Sequence, residues 1–317
     1  MLTLSNGHSF SVATAAGALA YGSGYWWERW GLIPLGIIRP GDFTIITKTL
    51  TAAPRKGNLR WWCPWRCVRL LPGGSAVNAV GLTNPGVEWW LRESYPREIN
   101  KGRNLIVSIA PDTLDEAAWM SRQVEHARQV RGLEVNISCP NTPDLHQPNS
   151  DLPESLLGLP SRLDSLAIER AVRMVQAVVQ NTTHPVGVKL GMNRLEELCQ
   201  ALDGEVAWID VINTIPFGQV YHGEVSPLAR YGLEGGVSGR VIQSRARHAL
   251  VTVRALCRST PVISGGGIDS LVEAVHRFWM GASAITLGTL FLTNPFKVGV
   301  IAQTVRELDR TNQLAGG

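Results

Sequence analysis

The chain has 317 residues, of which 44% are hydrophobic and 18% charged, a globular composition that excludes an intrinsically disordered protein. Its net charge of +4 is too small and too evenly spread to indicate nucleic-acid binding. No apolar run is long enough to span a membrane, the N-terminus lacks the basic segment of a secretory signal, and five irregularly spaced cysteines argue against a disulfide scaffold. We therefore expect a cytoplasmic protein in a reducing compartment.

Short apolar runs alternate with longer amphipathic segments, a pattern typical of repeated βα units. The predicted strands are Phe10–Ala16, Phe43–Leu50, Asn104–Ala110, Gly132–Ser138, Pro185–Leu190, Trp208–Ile215, Pro261–Gly265 and Ala284–Phe291. The predicted helices are Asp115–Val130, Leu166–Gln180, Leu195–Leu202, Val241–Cys257, Ser270–Met280 and Lys297–Asp309. This pattern predicts an α/β protein with a (β/α)8 TIM barrel fold, as a single domain over residues 1–317. The alternative, a doubly wound sheet, would rarely need eight strands without a domain break.

Two long segments do not belong to a minimal barrel. Pro54–Glu88, rich in Gly, Pro and Trp, follows the second predicted strand, and Thr142–Pro160 follows the fourth. Both come after carboxyl ends of strands, where a barrel has its active site, so we expect long binding loops or lids at this face.

The predicted strand ends carry cations, amides and one thiol. The candidates are Lys48, Asn136, Cys139, Asn141, Lys189, Asn213 and Thr214. The absence of Asp, Glu and His from these ends argues against a zinc cluster and against a pair of glycosidase carboxylates. Such a site suits a planar anionic ligand that forms many hydrogen bonds.

Glycine-rich turns follow the last two predicted strands. Gly265, Gly266 and Gly267 follow the seventh, and Gly288-Thr289 follows the eighth, where barrels often bind a phosphate through backbone N–H groups. Gly235–Gly239 is also rich in glycine, and we expect it to form a further part of the same phosphate-binding site. The alternative is that each is an ordinary turn.

Cys139 differs from the other cysteines by its position after a strand. A cysteine is more often a small buried hydrophobe, and we interpret Cys199 and Cys257 in that way because they lie in predicted helices. As a proton-transfer group, Cys139 would need a positive charge nearby, and Lys48 is a candidate source.

Motifs in the chain resemble those of the dihydroorotate dehydrogenase family, in the same order, from about Phe10 to Leu292. The most specific is Asn-Ile-Ser-Cys-Pro-Asn at residues 136–141. The others are Thr47–Thr49, Pro54–Asn58, Asn78–Leu82, Val188–Leu190, Asn213-Thr214, Gly235–Gly239 and Gly265–Ile268. The resemblance implies an FMN-binding barrel that oxidises dihydroorotate to orotate in pyrimidine biosynthesis.

The resemblance also implies roles for single residues. Cys139 would be the base that removes the C5 proton while a hydride leaves C6 for flavin N5, and Lys48 would lie between flavin and substrate. Lys189 would face the N1/O2 edge of the flavin, where a fixed cation stabilises the reduced form. The substrate would be bound by Lys48, Asn78, Gly81, Leu82, Asn136, Asn141, Asn213 and Thr214. The flavin would be bound by Ala15, Ala16, Gly17, Lys48, Thr49, Asn136, Lys189, Asn213, Gly239, Gly265, Gly266, Gly267, Gly288 and Thr289.

A cysteine base resembles the soluble class of the family, which implies a homodimer. Ile212–Thr214 and Gly235–Gly239 are similar to the NAD-linked branch that pairs with an iron–sulfur and FAD subunit. Thr142-Pro143 is commoner in the quinone-linked class, so the electron acceptor stays open between NAD through a partner, fumarate and others.

The chain departs from the family pattern at two places. Ala16 stands where the family usually has serine, and the loop Trp61–Cys67 is unusually rich in Trp. The tryptophans of this loop are expected either to form a partner surface or the wall of a substrate channel, or simply to pack beneath the long loop. Cys63 and Cys67 lack a second Cys pair or an adjacent His, so no metal is predicted.

Three other functions are alternatives. A dihydropyrimidine (uracil or thymine) dehydrogenase-like flavoenzyme would have His where Asn141 stands. A tRNA dihydrouridine synthase would have Gly in place of Ser138 and a strongly basic C-terminal region. A non-catalytic flavin-binding assembly subunit would have no need of Lys48, Cys139 and the asparagines.

Overall fold

The protein is represented by a computed structural model, which describes residues 1–22, 28, 31–137 and 160–311. The strands are β1 (Leu2–Thr3), β2 (Ser9–Phe10), β3 (Val12–Thr14), β4 (Thr44–Ile46), β5 (Val68–Leu71), β6 (Ser75–Asn78), β7 (Asn104–Ile109), β8 (Gly132–Asn136), β9 (Val186–Leu190), β10 (Trp208–Val211), β11 (Ile215–Pro216), β12 (Gly236–Gly239), β13 (Val262–Ser264) and β14 (Ala284–Leu287). Eight of them, β3, β4, β7, β8, β9, β10, β13 and β14, pair in parallel in that order and close into a barrel. The predicted (β/α)8 barrel is confirmed, and each predicted strand contains one barrel strand.

Helices connect the barrel strands. They are α1 (Val87–Trp89), which continues through a π-helical turn (Trp90–Ser94) into α2 (Tyr95–Asn100), then α3 (Leu114–Glu125), α4 (Pro160–Val179), α5 (Leu195–Leu202), α6 (Phe217–Val220), α7 (Gln243–Leu256), α8 (Leu271–Trp279), α9 (Leu290–Thr293) and α10 (Pro295–Arg310). Short 3-10 helices lie at Pro40–Asp42, Pro64–Arg66, Ala229–Tyr231 and Arg240–Ile242. In the described part of the chain, no helix is both long and apolar enough to cross a bilayer.

Local sequence explains where α8 begins and ends. The Ser270 hydroxyl accepts a hydrogen bond from the Glu273 N–H at 3.2 Å and so caps the N-terminus of the helix. Gly281, at a φ of +96°, follows the helix in a conformation that favours glycine.

The barrel interior is filled by side chains from the strands and from the N-terminal hairpin of β1 and β2. Leu2, Leu4 and Phe10 pack there with Trp208 and residues of other barrel strands. Gly187 on the neighbouring strand β9 has no side chain and so leaves room for the indole. A Cβ at this position would lie 1.9 Å from Trp208 Cε2. Trp208 therefore forms part of the packed floor beneath the carboxyl end of the barrel.

The segment Pro54–Glu88, expected as a long loop, instead contains the antiparallel pair β5 and β6. The segment Gly235–Gly239, expected as a turn, contains β12, which pairs with β6, and β11 completes a four-stranded sheet. The predicted strand Trp208–Ile215 is also split, because β10 ends at Val211 and Ile215 begins β11. The pairing of β12 with β6 joins residues about 160 positions apart, and such a contact leaves no local periodicity from which this sheet could be predicted.

Candidate active site

A cavity of about 440 Å³ opens at the carboxyl end of the barrel strands, between them and the four-stranded sheet. This volume is within the range of small-molecule sites. The predicted site residues that line it are Ala15, Ala16, Gly17, Lys48, Thr49, Asn78, Gly81, Leu82, Asn136, Lys189, Asn213, Thr214, Gly239, Gly266, Gly267, Gly288 and Thr289. Residues that come from distant parts of the sequence therefore share one cavity.

Three predicted site residues stand apart from this group. Cys139 and Asn141 lie outside the described residues, as does the segment 142–159 of the predicted loop Thr142–Pro160. Gly265 is buried just below the cavity, where a Cβ would meet Thr286 Oγ1 at 2.4 Å.

Hydrogen bonds connect the polar side chains of the cavity. The Asn136 amide donates to Thr49 Oγ1 at 3.2 Å, and Asn213 Nδ2 donates to Asn136 Oδ1 at 3.4 Å. Thr49 is further held by Ser108 at 2.9 Å, and Asn213 Oδ1 accepts from the Thr214 N–H at 2.8 Å. This network constrains both amides, and an Asn side chain carries both donor and acceptor groups.

A buried ion pair lies at the base of the cavity. Lys189 Nζ is 2.6 Å from Asp210 Oδ2, and both side chains are buried. The two residues are register partners on β9 and β10. Burial acts to lower the pKa of Lys189, but the negative charge of Asp210, and that of Glu134 once it ionises, outweigh burial and raise that pKa, so the ammonium form persists.

Glu134 is a second buried acid in the barrel. It lies on β8, two residues from Asn136, and therefore on the same face of its strand. Its carboxyl group lies beside the Trp208 indole and the Asp210 carboxyl group, both of which affect its pKa. Burial, opposed by Lys189 and reinforced by Asp210, raises the pKa of Glu134 to about 8, so the side chain is largely protonated at neutral pH.

We predict that Glu134→Gln reduces the pH dependence of the free energy of unfolding. In the unfolded chain this carboxyl ionises near pH 4.5, whereas in the folded barrel it keeps its proton to about pH 8. Across that window the folded state binds more protons, so stability falls as the pH rises, by up to about 1.4 kcal/mol per pH unit from this group. Urea unfolding at pH 5.5 and 7.5 measures the difference.

The matched control is Glu196→Gln, because Glu196 lies exposed on α5. This variant should show the same pH dependence as the unmodified protein. If Glu134→Gln also followed the unmodified protein between the two pH values, the interpretation of Glu134 as a buried protonated acid would be wrong.

The turn after β13 presents backbone N–H groups to the cavity. Gly266 and Gly267 line the cavity with φ of +81° and +79°, and added Cβ atoms would approach Ala246 and Gln243 to 3.0 and 2.8 Å. Among the described residues, no acceptor is found for the N–H groups of Gly266, Gly267 and Ile268. A row of unpartnered N–H groups beside glycine is the arrangement that binds a phosphate.

Three tryptophans of the 61–67 loop are exposed rather than packed beneath it. Trp61, Trp62 and Trp65 are 56%, 60% and 51% exposed, so the interpretation as simple packing is wrong for these side chains. Cys63 and Cys67 are buried, and burial raises the pKa of the Cys67 thiol to about 11. Over the described ranges, no group of three or more His, Cys, Asp or Glu side chains is placed to hold a metal ion.

The sequence prediction missed several residues of the site. Asp210 and Glu134 were missed because only the predicted strand ends were considered. The sheet residues Val68, Ala76 and Ser238, which line the cavity, were missed with their strands.

Fold and cavity together define a (β/α)8-barrel protein with a glycine-rich turn and an amide-lined pocket at the carboxyl end of its strands. A family model described as dihydroorotate dehydrogenase matches residues 35–308, and the chain belongs to this family. It is thus an oxidoreductase that acts on a CH–CH group.

The relatives and the solved structures agree with this assignment. The catalytic subunit of dihydroorotate dehydrogenase B (NAD(+)) from Desulforudis audaxviator is 31% identical over 313 residues, covering 96% of this chain and 89% of that protein. The protein of the same name from Geotalea uraniireducens is 29% identical over 307 residues, covering 96% and 90%. A crystal structure of DHODH from Eimeria tenella in complex with ferulenol shares the fold, with a TM-score of 0.68 and 16% identity over 95% of this chain and 82% of that one.

Proposed function

We propose that the protein oxidises dihydroorotate to orotate with FMN as its resident cofactor. The observation that carries this proposal is the cavity itself, which joins the unpartnered N–H groups of Gly266, Gly267 and Ile268 to a pocket lined by asparagines and lysines. A phosphate needs the first feature, and a flat ring with amide groups and a carboxylate needs the second.

The residues around the cavity fit FMN. Gly239, Gly266, Gly267, Gly288 and Thr289 would hold its phosphate. Lys189 would lie at the pyrimidine edge of the ring system, where a fixed cation favours the reduced form. Bound FMN would supply the electron sink that amino-acid side chains lack, by accepting the hydride of the substrate at N5.

The protein residues would bind the substrate and move its proton. Asn78, Asn136, Asn141, Asn213 and Thr214 would hold the ring amides and the carboxylate, since an Asn side chain both donates and accepts. Lys48, which lines the cavity, would add a positive charge beside the anionic substrate. Cys139 would take the proton from C5 as its thiolate, in concert with the loss of the hydride from C6.

We further propose that the chain forms a homodimer and delivers electrons to a second, iron–sulfur and FAD-containing subunit. Support comes from the two relatives described above, both of which are named as catalytic subunits of an NAD(+)-linked enzyme.

The test is an anaerobic titration of the purified protein. We expect a yellow protein with a flavin spectrum, and bleaching of the flavin band near one equivalent of dihydroorotate. Addition of NAD⁺ to the bleached protein alone should leave it reduced, because the proposed partner subunit is missing, whereas rapid reoxidation by fumarate would assign that acceptor instead.

Other outcomes would overturn parts of the proposal. A yellow protein that bleaches with dihydrouracil and not with dihydroorotate would be a dihydropyrimidine enzyme. A yellow protein that bleaches with neither would be a flavin-binding subunit without this chemistry. A colourless protein that takes up no FMN would remove the cofactor assignment.

A further inference from the structure

A buried arginine lies directly behind the glycine turn. Arg277 on α8 is 0% exposed, and its guanidinium donates to Ser264 Oγ at 2.9 Å, to the Gly265 carbonyl at 3.3 Å and to the Gly266 carbonyl at 2.8 Å. It also donates to the Gln243 carbonyl in the first turn of α7 at 3.4 Å. One side chain therefore connects the end of β13, the glycine turn and the start of α7.

Each of the three carbonyl groups of this turn accepts a hydrogen bond from a side chain. Arg277 donates hydrogen bonds to the carbonyls of Gly265 and Gly266, and the Gln243 side chain donates to the carbonyl of Gly267 at 2.9 Å. In a trans peptide the C=O of one residue and the N–H of the next point in opposite directions. Holding these three carbonyls inward thus directs the N–H groups of the next residues toward the cavity.

A carboxylate fixes the arginine in place. Glu273, one turn earlier on α8, accepts from Arg277 Nε at 2.6 Å and from both Nε and Nη2 of Arg247 on α7. Glu273 is buried, and its hydrogen bonds with the two arginines hold the pKa of this carboxyl below its usual value although burial acts to raise it. Two guanidinium groups and one carboxylate leave one net positive charge behind the turn.

We infer that Arg277 is a positioning residue for the FMN phosphate, acting through the carbonyl groups of Gly265 and Gly266. The inference rests on the proposed function, since FMN must bind at this turn for Arg277 to matter to it. Arg277 is not among the residues that line the cavity, so it would act on the phosphate through the turn and not by direct contact. It preorganises the N–H groups and adds a positive potential behind them, so it discriminates in favour of a phosphorylated flavin.

The experiment measures the dissociation constants of FMN and of riboflavin, which lacks the phosphate, for apoprotein and variants by flavin fluorescence quenching. We expect Arg277→Met to weaken FMN binding by about 10- to 100-fold, which is about 1.4 to 2.8 kcal/mol of binding free energy. Riboflavin binding should stay close to that of the unmodified protein. Arg277→Lys keeps the charge but cannot bridge several carbonyls. It should therefore weaken the binding of FMN but not of riboflavin, and by a smaller factor than Arg277→Met does.

Two controls separate positioning from general damage. Val253→Ala removes a buried side chain of α7 and should lower stability without changing the ratio of the two dissociation constants. Arg173→Met removes an exposed charge on α4 and should change neither. If Arg277→Met does not fold, the Lys variant decides the question.

The outcomes distinguish the inference from the proposed function. Selective loss of FMN supports the inference. If the Arg277 variants bound both flavins equally more weakly, or bound FMN as tightly as the unmodified protein does, the inference would be overturned. The proposed function would still stand, provided that the unmodified protein binds FMN. If the unmodified protein bound neither flavin, the proposed function would fail first.

Discussion

Replacing Lys189 by methionine is expected to lower the free energy of unfolding by about 3–5 kcal/mol, because it leaves the Asp210 carboxylate buried without its partner. Lys189 and Asp210 are joined at 2.6 Å inside the barrel, and both side chains are buried. Under the proposed function, the same variant should also lower the reduction potential of bound FMN, because a fixed cation near the flavin favours its reduced form. Chemical denaturation and an anaerobic redox titration give the two readouts.

The double variant Lys189→Met with Asp210→Asn separates the two effects. It removes both charges together, so most of the lost stability should return, whereas the reduction potential should stay low because the cation is still missing. If the double variant were as unstable as Lys189→Met alone, the loss would come from packing and not from an uncompensated charge. If the potential returned with the stability, Lys189 would have no separate effect on the flavin.

The barrel could be predicted because its signal is local. Runs such as Asn104–Ile109 and Val186–Leu190 are mostly apolar strands, and the amphipathic segments between them form helices at the predicted places, Leu195–Leu202 with the same bounds. Parallel strands of a barrel end on one face, so the order of elements was enough to bring Lys48, Asn136 and Asn213 into one cavity.

The rest depends on contacts between distant residues, which periodicity does not report. The pairing of β6 with β12 joins residues 75–78 to 236–239, and it converts a predicted loop and a predicted turn into one sheet over the cavity. The network of Arg247, Glu273 and Arg277 could not be predicted either. In the sequence alone, three charged residues in two helices are typical of an exposed face.

One signal for the buried charges was present in the sequence. Asp210 interrupts the apolar run Trp208–Ile212, as Lys189 interrupts Val186–Leu190. A charged residue inside a strand that is buried on both faces needs a partner of opposite sign, and two such residues on neighbouring strands predict each other. Searching the interior of the predicted strand Trp208–Ile215 for charged residues, rather than only its end, would have found this pair.

Replacing Cys139 by serine is expected to slow flavin reduction by dihydroorotate about 10²- to 10⁴-fold at pH 7. Under the proposed function Cys139 removes the C5 proton, and a serine hydroxyl holds its own proton far more tightly than a thiol does. Stopped-flow measurement of the flavin absorbance under anaerobic conditions isolates this half-reaction from electron delivery to the acceptor. The dissociation constant of orotate, measured by the change in the flavin spectrum, should change little, because the asparagines that bind the ring remain.

The pH dependence separates a lost base from a distorted pocket. The rate of Cys139→Ser should climb as the pH rises, because a larger fraction of the hydroxyl can lose its proton, whereas Cys139→Ala should be slow at every pH. Cys199→Ser is the matched control, since Cys199 is buried in α5 away from the cavity, and its reduction rate should equal that of the unmodified protein. A Cys139→Ser variant that bleached as fast as the unmodified protein at pH 7 would show that another group removes the proton.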